Sequence, residues 1–178
     1  EWARIQSRET VFRYEEINFH ALCEREVAAF KLQAAEKNIL LQFHIEGDAD
    51  MVANYNIVRT VLRNLISNAI KFTFPGGQIR ISAQGRTDDV LICVEDSGCG
   101  IPEHMLETIF CPFSRISTLG TENERGMGFG LPMCREFVDQ HGGRIWAESR
   151  EGNGSRFYVT FPRGSEKKLL AVDVAEGG

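Results

Sequence analysis

The sequence predicts an α/β (α+β) two-layer sandwich, with a mixed and mainly antiparallel sheet and helices packed on one face. Helical and extended patterns follow one another as helix, strand, helix, two strands, short helix, loop, helix and two strands, an order that calls for a single sheet covered by helices. Across residues 57–73, Val58, Val61, Leu62, Leu65 and Ala69 recur at the three-and-four spacing of one helical face, with no Gly or Pro among them. Near the end, Gly152-Asn153-Gly154 separates two extended stretches, and Phe157, Val159 and Phe161 share one face, as in an antiparallel hairpin.

Taken in order, residues 1–8 read as the end of a helix with Trp2 and Ile5 on one side. Residues 12–19 form a short extended connector, and residues 20–37 an amphipathic helix with Leu22, Val27, Phe30 and Ala34 inward. Ile39, Leu41, Phe43 and Ile45 then alternate with increasingly polar partners, a strand that stops at Gly47-Asp48. The helix of residues 57–73 is closed by the turn signal Pro75-Gly76-Gly77. Ile79, Ile81 and Ala83 alternate with polar residues, a strand with one face on the core. Residues 90–94 are an unbroken apolar run suited to a buried central strand. Pro102 is well placed to start a short helix, because its missing N–H would be unpaired there in any case. From Phe113 through Arg125 the chain is polar and aperiodic, a loop of about a dozen residues and long enough to suspect function. Residues 131–141 form a helix ended by Gly142-Gly143, and residues 144–149 and 155–161 the two last strands.

With 178 residues, 43% of them hydrophobic, the chain can bury the core of one domain. A formal net charge of -5 leaves no broad basic field, which argues against a dedicated nucleic-acid binder. The five cysteines include no Cys-x-x-Cys pair, so neither a disulfide framework nor a zinc site is expected and a cytoplasmic setting is the default. No apolar run approaches the ~20 residues of a membrane span. The chain begins at Glu1 rather than Met, so it is expected to belong to a longer parent whose membrane anchoring stays open.

Three groups of residues invite chemistry. On the helix of residues 57–73, Asn68 and Lys71 fall within roughly 20 to 40° of Asn64, while Arg59 and Arg63 point elsewhere. Asn is a poor helix former, so two of them one turn apart cost stability. Their amide oxygens can ligate a hard cation such as Mg2+, and the Lys71 ammonium can meet a phosphate; a hydrated helix edge is the plainer reading. Gly126, Gly128 and Gly130 permit close backbone approach, and the helix after them offers unpaired N–H groups to a phosphate. Their spacing is not that of a Rossmann loop, and no Gly-Lys-Ser/Thr is present, so loop flexibility is the alternative. Asp96, at the end of a central strand with Gly98 and Gly100 behind it, can accept a hydrogen bond from an exocyclic amine and reject a purine that carries a carbonyl there. An ordinary Asx-turn would also place an Asp at this point. His20 and His44 have no catalytic context.

Together, Asn64-x3-Asn68-x2-Lys71-Phe72-Thr73, Asp96-x-Gly98-x-Gly100-Ile101, Phe110-x2-Phe113, Gly126-x-Gly128-x-Gly130-Leu131 and Gly152-x-Gly154-Ser155 resemble, in order and spacing, the N, G1, F, G2 and G3 boxes of sensor histidine kinase catalytic domains. These belong to the GHKL ATPase superfamily, with its Bergerat-type ATP-binding fold. The resemblance implies an ATP-binding domain over residues 15–163, between the end of a preceding dimerisation helix with its linker (residues 1–14) and a tail or linker (residues 164–178). It implies ATP and Mg2+ as cofactors, with Asn68 ligating the metal, Asn64 near the phosphates and metal, Lys71 on phosphate and Phe72 along the adenine. Asp96 would bond the adenine amine, and Gly98, Gly100 and Ile101 would shape its pocket. Residues 113–125 resemble the ATP lid, anchored by Phe110 and Phe113. Gly126, Gly128, Gly130, Leu131 and Ser155 complete the nucleotide-binding set. Met127 and Phe129 depart from the usual Gly-Thr-Gly-Leu-Gly-Leu wording of the G2 box, and Asn54 stands where an Asp is common.

No catalytic residue is assigned to this chain, because His20 is followed by Ala21-Leu22-Cys23 and does not match a phosphoacceptor box. The implied partners are ATP, a histidine-bearing dimerisation domain elsewhere in the parent, and a downstream response regulator. The parent is expected to be a homodimer and this chain a monomer. An ATP-gated module of the Hsp90 or MutL kind is the alternative from another class. Such modules generally use a glutamate on the Asn helix, but Arg63 precedes Asn64 and no Glu lies within residues 57–73. A nucleotide-binding regulatory domain without turnover is the other alternative, suggested by Met127 and Phe129.

Overall fold

The computed structural model describes residues 13–112, 120–122, 124 and 128–164. The expected helix end at Trp2 and Ile5, Phe113, Arg125, Gly126, Met127 and the tail beyond Gly164 lie outside the described residues. The chain runs β1 (Glu15–Ile17), α1 (Phe19–Glu36), β2 (Leu40–Glu46), β3 (Met51–Ala53), α2 (Tyr55–Phe72), β4 (Gln78–Gly85), β5 (Asp89–Asp96), α3 (Glu103–Leu106), α4 (Gly130–Gln140), β6 (Arg144–Ser149) and β7 (Ser155–Pro162).

Side-chain amides start the two long helices. Asn18 accepts the Ala21 N–H at 2.8 Å to open α1, and Asn54 accepts the Ile57 N–H at 3.1 Å to open α2. Each satisfies a donor that the first helical turn would leave unpaired. The Asn54 cap also explains why α2 begins two residues before its apolar pattern does. The mixed sheet runs in the order β2-β4-β5-β7-β6, with β2 parallel to β4 and every other pair antiparallel. A parallel pair requires a crossover, and α2 supplies it.

The core lies between the sheet and the helices. Ile79 and Ile81 of β4, Val90, Ile92 and Val94 of β5, and Phe157, Val159 and Phe161 of β7 share one buried cluster with Val58, Val61, Leu62, Leu65 and Ala69 of α2. β5 is the central strand, but its burial alternates, so Leu91 and Cys93 sit half-buried on the face away from the cluster. The continuous apolar run therefore does not mark a strand covered on both sides.

One small element was not legible beforehand. The expected extended connector contains β1, which pairs antiparallel with β3 in a separate two-stranded ribbon, Ile17 opposite Met51. The Val52 N–H donates to the Arg163 carbonyl at 2.9 Å, and the Asn54 amide donates to the Arg13 carbonyl at 3.1 Å. The strand that leads into α1 and the strand that leaves the sheet thus meet at the start of α2.

On α1 the inward residues are Leu22, Phe30 and Ala34, with Val27 partly covered. Glu26 lies among them at 1% exposure and accepts hydrogen bonds from Arg59 Nε and Arg63 Nη1 of α2, both at 2.7 Å. A buried carboxylate is tolerated only when so paired. Replacing Glu26 with alanine is expected to lower unfolding stability by about 1–3 kcal/mol, read from urea denaturation, because it loosens α1 from α2.

Candidate functional site

Asp96 ends β5, opposite Ile79 of β4 and Ser155 of β7, and only 6% of it is exposed. Its Oδ1 accepts the Gly98 N–H at 2.8 Å. Burial pushes its pKa up to about 6, although backbone N–H bonds from Gly98 and Ser155 act in the opposite direction. A carboxylate has more acceptor sites than these two N–H groups fill.

The loop after it is wedged between two structures. On one side the Cys99 N–H donates to the Phe72 carbonyl at the end of α2, at 3.0 Å, and a Cβ at Gly98 would lie 2.1 Å from that same oxygen. On the other, the Gly152 N–H donates to the Cys99 carbonyl at 2.7 Å, and a Cβ at Gly100 would lie 2.1 Å from the Arg150 carbonyl. Gly100 and Gly154 also hold the left-handed backbone, φ 71 and 75, that glycine adopts without strain. Ser149, which the sequence reading did not single out, knots the site: its hydroxyl accepts the Ile101 N–H at 2.8 Å, donates to the Gly154 carbonyl at 2.7 Å and lies 3.0 Å from the Ser155 hydroxyl. The register Ser149 opposite Ser155 in the hairpin was the available signal for it. Ile101 packs half-buried against the core, and Phe110 is buried edge-on to Phe157, with centroids 6.4 Å apart.

Along α2 the polar stripe runs from Asn64 to Lys71, with Phe72 one residue on, so the span from Asn64 to Phe72 is about 12 Å of helix. The Asn64 Nδ2 donates to the Thr60 carbonyl at 3.0 Å, and a Cβ at Gly130 would lie 2.7 Å from its Oδ1. The start of α4 is thereby pressed against Asn64, with Leu131 packed on the core and Gly128 in the left-handed region, φ 72. Asn68 is half-buried, and its amide has no hydrogen-bond partner among the described residues. Lys71 Nζ lies 4.6 Å from the centroid of the Phe72 ring. Burial pulls the Lys71 pKa down, and the Glu124 charge opposes that. The structure thus brings Asn64 to Gly130, and Phe72 to Gly98 and Asp96, while the expected Phe113 and Gly126 lie outside the described residues.

The donor set fits a nucleotide with its metal. Thr73 Oγ1, next to the Phe72 carbonyl on which Gly98 rests, is buried and has no hydrogen-bond partner among the described residues. Among the described residues no group of three His, Cys, Asp or Glu side chains could hold a metal ion, and the side-chain oxygens that the α2 stripe offers are the amides of Asn64 and Asn68. Oxygen ligation of that kind suits Mg2+ shared with phosphates.

Residues 53–165 match the family of histidine kinase-, DNA gyrase B- and HSP90-like ATPases, and the chain belongs to this family. Within it the similarity falls on the histidine kinases. The chain is 37% identical over 164 residues to the adaptive-response sensory kinase SasA of Synechococcus sp. (strain JA-2-3B'a(2-13)), covering 91% of this chain and 43% of the relative. It is 41% identical over 105 residues to the alginate biosynthesis sensor protein KinB of Pseudomonas aeruginosa, covering 59% of this chain and 17% of KinB. Its fold matches the nucleotide-free catalytic domain of histidine kinase ThkA with a TM-score of 0.75 at 33% identity, over 85% of this chain and 98% of that one. The chain is an ATP-binding histidine kinase catalytic domain, and it spans about two fifths of the length of the sensory kinases of the SasA type. Among the described residues no helix is long and apolar enough to cross a membrane.

Proposed function

We propose that residues 15–163 present Mg2+-ATP for phosphoryl transfer to a histidine on a dimerisation domain carried elsewhere in the parent. The observation that carries this reading is the buried Asp96 carboxylate, held by Gly98 between the end of α2 and the hairpin turn. Asp96 accepts the exocyclic amine of adenine, and Phe72 flanks the base. Gly100 and Ile101 shape the rim, and Ser155 fixes the hairpin side through Ser149. Asn68 would hold the metal with its amide oxygen, Asn64 lies near the metal and phosphates, Lys71 meets a phosphate, and the glycines Gly126, Gly128 and Gly130 ahead of Leu131 are assigned to the phosphates. The metal, when bound, neutralises charge on the transferred phosphoryl group, so the chain's own task is positioning and electrostatic complementarity.

The attacking histidine and its base belong to the acceptor domain, and a response regulator receives the phosphoryl group afterwards. The solved complex of ThkA with the response regulator TrrA supports a response regulator as a partner. Calorimetric titration of this chain with a non-hydrolysable ATP analogue tests the reading. Binding is expected with Mg2+, weaker with EDTA, and weaker by on the order of a hundredfold for the GTP analogue, whose carbonyl leaves Asp96 unpaired. Equal affinity for the two purines would refute the role of Asp96.

A further inference from the structure

Lys37 is the least expected charge in the molecule. It caps the C-terminal end of α1, is 5% exposed, and its ammonium lies at the far end of α2. Nζ is 2.9 Å from the Ile70 carbonyl, 3.3 Å from the Lys71 carbonyl, 2.7 Å from Thr121 Oγ1 and 2.9 Å from Glu124 Oε1. An ammonium has three N–H donors, so four acceptors saturate it, and the two carbonyls are the negative end of the α2 dipole. Burying such a charge is costly unless its surroundings are built for it.

These surroundings join three distant pieces of chain. The Thr121 N–H donates to the Lys71 carbonyl at 3.0 Å, and its hydroxyl donates to the Thr73 carbonyl at 2.9 Å while accepting from Lys37. The other Glu124 oxygen accepts the Glu122 N–H at 2.8 Å. A Cβ at Gly120 would lie 2.6 Å from Lys71 Cγ and 2.7 Å from its carbonyl oxygen, so this segment rests on the backbone and stem of Lys71. The Gly76 N–H donates to the Lys37 carbonyl at 2.9 Å, which closes the junction from the sheet side.

We infer that Lys37 is a positioning residue for nucleotide binding: through Glu124 and Thr121 it clamps residues 120–122 and Glu124 onto the last turn of α2, and so sets where Lys71 and Phe72 stand. The inference rests on the nucleotide reading above. Lys37 touches no ligand itself; it acts through the backbone of Ile70 and Lys71.

The test is analogue affinity, measured calorimetrically with Mg2+ well below the melting temperature, for Lys37→Met, Glu124→Gln, their double variant and Thr121→Val, beside thermal denaturation of each. Glu124 and Thr121 lie outside the main core, so their variants keep the test informative if Lys37→Met fails to fold. Each folded single variant is expected to bind the analogue about fivefold to thirtyfold more weakly, and the double no more weakly than Lys37→Met alone, as residues acting through one junction do. A lowered melting temperature with unchanged affinity in the folded variants overturns the inference and leaves Lys37 a stabilising residue only. Losses that simply multiply in the double variant overturn the clamp. No binding by the wild-type chain would instead bring down the nucleotide reading itself.

Discussion

Asp96→Asn is expected to abolish selective adenine binding while leaving the fold as stable as before, or more so. The folded-state pKa of about 6 lies above the ordinary 3.8, so the folded protein holds this proton more tightly than the unfolded chain. The stability linked to Asp96 is therefore full below pH 3.8 and is lost as pH rises through 6, and at pH 7.5 the buried charge costs on the order of 3 kcal/mol. Asparagine removes that charge, and its Oδ1 can still accept the Gly98 N–H. Its other group is an N–H2, which would face the adenine amine donor to donor, leaving both unpaired. Thermal denaturation at pH 7.5 should show a melting temperature equal to or a few degrees above the wild type, while affinity for the ATP analogue falls on the order of a hundredfold or more. In the wild type the same group makes analogue affinity fall by about tenfold per unit as pH drops below about 6. An Asp96→Asn protein that binds the analogue normally would remove Asp96 from the site.

Gly98→Ala is expected to damage stability and binding together. The new methyl would sit 2.1 Å from the Phe72 carbonyl oxygen, 2.7 Å from its carbon and 2.8 Å from Asp96 Oδ1. Two of these are backbone atoms at the end of a packed helix and cannot step aside. The loop must lift from α2, stretching the Cys99-to-Phe72 bond, and urea denaturation should show a loss of about 2–4 kcal/mol with weakened nucleotide binding. Gly152→Ala is the control: its φ is 81, but none of the described residues lies within 4 Å of the added Cβ, so only about 1 kcal/mol of backbone strain is expected. Equal losses at the two glycines would show that backbone conformation, not the approach of the loop to α2, governs this region.

Much of the site could be read from residue order. The α2 pattern is long and uninterrupted, so its apolar face and its Asn64, Asn68 and Lys71 stripe follow from helical geometry. Asp96 is legible because an apolar run ends there and glycines begin. The ribbon of β1 and β3 escaped notice because a three-residue strand contains too few positions to show alternation. Lys37 escaped for a different reason. Lysine is ordinarily a surface residue, and what holds this one inside is the meeting of the α2 carbonyls with Thr121 and Glu124, more than 80 residues further on. Ser149 matters only once the hairpin register is known.

The ribbon has a mechanical consequence. Arg13 and Arg163, near the two ends of the main described stretch, are both bonded to the short stretch Val52–Asn54, and Asn54 in turn caps α2. Arg163 is also tied to the Asp88 carbonyl through its N–H and to the Asp48 carbonyl through its guanidinium, so the end of β7 is anchored to these loops as well as to this corner. A pull on either flank is therefore expected to load the bonds at Val52 and Asn54 and, through Asn54, the capped first turn of α2.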